Sequence, residues 1–218
     1  ITIRAKQSIS FTLLVYPTFL GRSEQSLIDF GKFNLSLDKK GNAVFKTNQG
    51  QAKSVITAVE KFWHRVEASV TCLGHMRVEL YRLGEEKNSK SSKPQHDMQI
   101  ELSQTAPVFI ASRYADDKIQ DCFNGKIEAP QILADNQPVA VWDFSKDISS
   151  MTVPGVGCVD LKLENIPTRA VTGVAWDASE MNWQHKPEHY GAISFHEDDI
   201  YDFNWETDFS FVIPPNMP

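Results

Sequence analysis

The stretch Ser8-Ile9-Ser10-Phe11-Thr12-Leu13-Leu14-Val15-Tyr16-Pro17 decides the fold. Ile9, Phe11, Leu13 and Val15 fall on alternate positions, with Ser8, Ser10 and Thr12 between them. A period of two sets the four apolar side chains on one face of an extended chain and the hydroxyls on the other, whereas a helix would scatter them. Pro17, which has no N–H for a ladder, closes the run. The same period recurs downstream. Phe33, Leu35 and Leu37 alternate with Asn34, Ser36 and Asp38, and Lys39-Lys40-Gly41-Asn42 supplies residues that tolerate a positive φ, so residues 43–47 read as the returning strand of a hairpin. Val66, Ala68 and Val70, the turn Cys72-Leu73-Gly74-His75, and Met76, Val78 and Leu80 spell a second hairpin. Residues 108–112, 125–133 and 139–144 carry further strand signals. Only residues 52–61 have a spacing that admits a helix, and residues 85–97, rich in Ser, Lys and Asn without apolar periodicity, read as a mobile surface loop. The expected architecture is all-β, a two-sheet antiparallel jelly-roll sandwich with both inner faces supplying the core.

Composition narrows the function classes. The 218 residues carry 22 Lys and Arg against 28 Asp and Glu, a net charge of −6, with no extended basic block to meet phosphates, so nucleic acid is excluded as a partner. No apolar run approaches the ~20 residues that span a bilayer, and ITIRAKQ at the start lacks the pattern of a signal peptide. Three widely spaced cysteines (Cys72, Cys122, Cys158) form neither a disulfide framework nor a CxxC motif, and a reducing cytoplasm is the expected location. The charge is uneven. From Val174 onward nine acids face one lysine, a net −8, which leaves +2 on the preceding residues, and the same 45 residues hold nine of the 23 aromatics. Aromatics at that density need burial, yet the segment is too short to enclose its own core. The expected organisation is a sandwich over residues 1–173 and an acidic, aromatic extension over 174–218 that packs on it or leads into a further domain. The whole reads as a fragment of something longer.

In chain order, SISFTLLVYPTF at 8–19, FNLSLDKKGNAVFK at 33–46, KFWHRVEASV at 61–70, MRVELYRLG at 76–84 and FNGKIEAPQI at 123–132 resemble laminin-G-like domains of the concanavalin A-like class. VAVWDFS at 139–145 is similar to the strand that usually opens that fold, here placed after the rest. IPTRAVTGVAW at 166–176, KPEHYGAISFHEDDIYDFNW at 186–205 and DFSFVIP at 208–214 narrow the family further and resemble the large (beta) subunits of N,N-dimethylformamidase and its relatives. The resemblance implies hydrolysis of small formamides by an iron ion that tyrosines and a glutamate hold in a separate catalytic domain, together with a small subunit. None of those ligands maps onto residues 1–218. The fragment is therefore expected to be a non-catalytic structural or interaction module, itself without a cofactor, whose partners are the downstream catalytic domain and the small subunit.

Several constellations are set against plainer readings. His185-Lys186-Pro187-Glu188-His189 has the letters of the H-x-x-E-H metal motif, which needs both imidazoles on one helical face, and Pro187 stands inside that helix. His196 is a further candidate metal ligand beside Glu197. Glu197, Asp199 and Asp202 hold the E-x-D-x-x-E spacing of jelly-roll glucanases, with aspartate at the third position, and give a glycosidase alternative. Trp176, Trp183 and Trp205 are candidate stacking platforms for a glycan, the lectin-like alternative. Asp143, Asp160 and the pair Asp116-Asp117 are the carboxylates available to a structural Ca²⁺, without a ligand loop of recognisable spacing. Cys72 and His75, at adjacent ends of a hairpin, suggest a thiol–imidazole pair, against which stands a buried, inert cysteine.

Overall fold

The computed structural model describes residues 1–85, 99–196 and 209–210. Two antiparallel sheets face each other, the jelly-roll sandwich expected from the alternation. The larger runs β16 (Gly155–Val156), β14 (Gln137–Trp142), β13 (Gly125–Ala134), β2 (Ser8–Pro17), β7 (His64–Thr71) and β8 (Met76–Arg82), and is extended by β19 (Ala192–Phe195) on β13 and β18 (Thr168–Val171) on β19. The smaller runs β10 (Val108–Ile110), β3 (Gln25–Phe30), β4 (Phe33–Leu37), β5 (Asn42–Thr47) and β6 (Gly50–Thr57). Three ribbons trim the edges: β1 (Thr2–Ile3) with β9 (Gln104–Thr105), β11 (Arg113–Ala115) with β12 (Lys118–Gln120), and β15 (Thr152–Val153) with β17 (Leu161–Lys162). No described helix is long and apolar enough to cross a membrane.

β2 is central because its alternation is complete. Ile9, Phe11, Leu13 and Val15 are each at most 1% exposed and meet Phe33 and Leu35 of β4 and Phe45 of β5 in one core. The hairpin turns follow the local chemistry. Asp38 Oδ1 accepts the N–H groups of Lys40 and Asn42, at 2.8 and 3.0 Å, and Gly41 takes φ +82, which returns the chain from β4 into β5. Asp135-Asn136, both at positive φ, turn β13 into β14, and the Asp135 carboxylate also accepts the N–H groups of Lys6, Gln7 and Ser8 ahead of β2.

Two segments depart from the alternation. Residues 52–61, read above as the possible helix, instead begin within β6, an edge strand paired with β5; its two buried residues are small (Ala52 and Ser54), and exposed Val55 stands beside half-buried Ile56, which hides the period of two. β3 went unread because its register shifts between Ser26 and Ile28, so that Ser-Leu-Ile-Asp-Phe does not alternate, and all six of its residues are buried. The loop expected at 85–97 lies, from residue 86 on, outside the described residues.

β13 carries the junction that matters for function. Its first half, residues 125–128, pairs with β19, and its second half, 131–134, pairs with β14. The partner changes at Ala129-Pro130, where Ala129 takes φ +49 and Pro130 has no N–H to offer. Residues 192–195, from within the acidic extension, are thereby a strand of the larger sheet.

Candidate functional site

A cleft of about 700 Å³ opens between edge strand β10 and the β15–β17 ribbon. Its walls are two runs of chain, residues 107–112 and 159–165, and its floor is core: Phe123, Phe144 and Ile193. Asp160, Lys162, Glu164 and His196 stand around it, with Lys162 Nζ 2.8 Å from a Glu164 carboxylate oxygen. Such a surface takes up apolar groups and offers little directed polar chemistry. Arg169 of β18 braces the segment 144–152, which carries Phe144 of the cleft floor. Its guanidinium donates to the carbonyls of Phe144 (3.1 Å), Lys146 (2.8 Å), Ser150 (3.1 Å) and Thr152 (3.4 Å), so one side chain ties a long loop. Arg169→Met keeps the stem and removes the four bonds. It is expected to lower stability by about 2 kcal/mol, the scale of charged hydrogen bonds lost without replacement; an unchanged urea midpoint would refute the clamp.

The second feature is the loop 172–191 that joins β18 to β19. Its base is closed by the pairing of Val171 with Ala192 and by Gly173 N–H donating to His189 O at 2.8 Å. Inside, Tyr190 Oη donates to Glu180 O, Lys186 Nζ to Ser179 Oγ, and the N–H groups of His185 and Lys186 to Asn182 O. Glu128 of β13 grips the base from below. One of its carboxylate oxygens accepts the Val174 N–H at 2.7 Å, and a Cβ on Gly173 or Gly191 would sit 2.7 or 3.0 Å from that carboxylate. Nearby Lys126, also on β13, donates to Thr172 O and Oγ1 and lies 5.2 Å from the Tyr16 ring centroid.

Burial pushes the Glu128 carboxyl up, with Asp143 adding to the shift and the Val174 N–H opposing it, while burial pushes the Lys126 ammonium down. A carboxyl raised in the folded state binds more protons there than in the unfolded chain. Stability is therefore greatest below its unfolded value and falls as pH rises through the folded one. Glu128→Gln keeps an acceptor for Val174 without the charge. It is expected to abolish that fall and to be at least as stable as the parent at pH 7, as melts between pH 4 and pH 8 would read.

The residues named from sequence are dispersed. His185 is exposed, with Nδ1 3.1 Å from Glu180 Oε2, whereas His189 is 3% exposed with Nδ1 3.6 Å from Asp177 Oδ1. Pro187 opens a 3₁₀ turn, Pro187–Tyr190, that excludes His185, so the two imidazoles share no helical face. His196 lies at the cleft. Trp176 is exposed and Trp183 half-buried, both on the 172–191 loop. Glu197, Asp199, Asp202 and Trp205 lie outside the described residues. The carboxylates weighed for Ca²⁺ serve turns: Asp143 accepts from Ser145, Asp160 from the Gly155 N–H, and Asp116-Asp117 connect β11 to β12 at positive φ. Cys72 packs against the core, and His75 closes its hairpin turn through backbone bonds to Thr71. Sequence reasoning missed Glu128, Lys126 and Arg169. The only local hint was glycine at both ends of the loop.

Among the described residues no group of three or more His, Cys, Asp or Glu side chains is placed to hold a metal ion. The Tyr81 hydroxyl donates to Glu67 at 3.2 Å, a tyrosine–glutamate contact, but Arg65 stands 3.6 Å from the same carboxylate oxygen where a cation would bind. The described residues do not fit iron held by tyrosines and a glutamate.

No protein-family model matches the chain. It is 34% identical over 120 residues to the N,N-dimethylformamidase beta subunit of Alcaligenes sp and 35% identical over 120 residues to that of Paracoccus aminophilus. Each match covers 44% of this chain and 16% of the subunit, so the chain corresponds to a small share of these relatives. The relation to these beta subunits that the sequence motifs pointed to is thereby shown. Among solved structures, a heptameric SAP-like pentraxin from Limulus polyphemus is similar with a TM-score of 0.45 at 14% identity, over 60% of this chain and 65% of that one. The LG1-3 region of the laminin alpha2 chain is similar with a TM-score of 0.44 at 18% identity, over 63% of this chain and 29% of that one. At that identity neither bears on activity.

Proposed function

We propose that this chain is the non-catalytic β-sandwich module of a large subunit of the N,N-dimethylformamidase type, and that the parent enzyme hydrolyses small formamides with an iron ion held outside residues 1–218. The carrying observation is the match of 34–35% identity to two beta subunits in a stretch that makes up 16% of their length. The chemistry of the chain supports a contact role. Among its described residues are an apolar cleft and a hydrogen-bonded loop that presents tryptophan and methionine, while Asp160 beside the cleft and Glu128 beneath the loop are engaged in a turn and in loop closure. Binding surfaces have this character, and hydrolytic centres instead converge a nucleophile or metal-bound water with a base.

The test is direct. Residues 1–218 supplied with ferrous iron and N,N-dimethylformamide are expected to release no formate above buffer, and the intact two-subunit parent is expected to release it. Formate from residues 1–218 alone would overturn the reading.

A further inference from the structure

We infer that the loop 172–191 is the docking element of this module, and that it fits an apolar socket rimmed by arginine or lysine on a second protein surface of the enzyme it serves. The inference rests on the module reading above and names the partner's chemistry. Its first support is exposure. Met181 is 77% exposed, Val174 40% and Trp176 39%, three large apolar side chains turned to water on one loop. Single exposed apolar residues are ordinary, but a group that includes tryptophan and methionine has the composition of an interface centre.

The second support is pre-organisation. A 20-residue connection would ordinarily lose conformational freedom on binding, which weakens affinity. Here the base is closed by the Val171–Ala192 pairing and the Gly173–His189 bond, Glu128 grips Val174 from beneath, and Tyr190, Lys186 and Asn182 bond the interior. Most of the ordering is complete before a partner arrives.

Charge selects the partner. Asp177, Glu180 and Glu188 against Lys186 leave the loop a net −2 with its histidines neutral. Lys186 Nζ lies 3.8 Å from Asp177 and His185 3.1 Å from Glu180, and hydrogen bonds from Ser179 hold the Asp177 carboxyl at about 2, so it is ionised at any working pH. Lys186 is the single lysine from Val174 onward. A loop of net negative charge that exposes apolar side chains complements an apolar socket with a cationic rim, and it repels lipid phosphates. Met181 and Val174 have no flat face to stack on a sugar ring, so the three side chains together fit a protein socket better than a glycan.

The experiment is hydroxyl-radical footprinting of residues 1–218 alone and of the assembled two-subunit enzyme that contains them. Met181 and Trp176 are expected to oxidise at least tenfold more slowly in the assembly, with Met151, outside the loop, as internal reference. Equal rates overturn the docking role and leave the parentage standing, whereas failure to find the chain in a two-subunit amidase overturns both. Met181→Ser changes an exposed side chain, and Asp177→Asn removes the charge while keeping an acceptor for the Ser179 N–H. Both are expected to leave the melting temperature within about 2 °C while weakening retention in the assembly at least tenfold, more at low salt for Asp177→Asn. Undiminished retention overturns the proposal. Calorimetric titration with cello- and chito-oligosaccharides closes the remaining route: saturable heat that Trp176→Ala abolishes would assign the loop to sugars instead.

Discussion

Phe11→Ala is expected to destabilise the chain by about 4 kcal/mol and to lower its melting temperature by roughly 10 °C. Phe11 is 1% exposed at the middle of β2, the strand with ladder partners on both sides in β13 and β7. Its ring lies 5.9 Å from that of Phe33 and 5.5 Å from that of Phe45, both on the opposite sheet, and those two rings are 6.2 Å apart. The three-ring cluster is where the two sheets meet. Truncation removes the transfer energy of a buried aromatic and leaves a cavity that rigid strands cannot close. Phe11→Leu, which refills much of the volume, is expected to lose about 1 kcal/mol. Equal losses for the two variants, read from urea midpoints, would show that the cluster does not hold the sheets together.

Gly125→Ala is expected to destabilise by about 3 kcal/mol or to prevent accumulation of folded protein. Gly125 sits at φ +143, a conformation that side chains rarely adopt. A Cβ there would press into the Tyr16 carbonyl oxygen and come within 2.9 Å of both Pro17 Cα and the Phe123 ring. Backbone cannot swing aside as a side chain would. Gly125 pairs with Pro17 on one side and Phe195 on the other, so the strain falls where β2, β13 and β19 join. Since β19 anchors one end of the 172–191 loop, the alanine variant is also expected to loosen Trp176, read as a change in its fluorescence anisotropy. A melt and an anisotropy identical to those of the parent chain would refute the argument.

How much of this was legible beforehand depended on distance along the chain. The β4–β5 and β7–β8 hairpins were readable because their partners lie within one turn and the turn residues announce themselves. β3 was not, since a shift of register cancels the period that marks a strand. β6 was misread because Ala52 and Ser54, its buried residues, carry little apolar bulk and apolar Val55 faces outward beside inward Ile56, which blurs the alternation. The His185–His189 motif shows the complementary lesson. Its letters matched a metal site, but Pro187 sets one imidazole in solvent and buries the other.

By itself the sequence determined that the chain is a sandwich, because the direction of successive side chains along an extended backbone is a local property and Ile9, Phe11, Leu13 and Val15 state it outright. It also marked the relation to the beta subunits, through motifs carried by contiguous residues. Tertiary structure alone decided that Glu128 lies between Gly173 and Gly191, that Arg169 ties the loop 144–152, and that residues 192–195 join the larger sheet. These contacts join residues about 17 to 70 positions apart. Which of them meet is set by ladder register and by the break at Ala129-Pro130, and those emerge only when all the strands have found their partners.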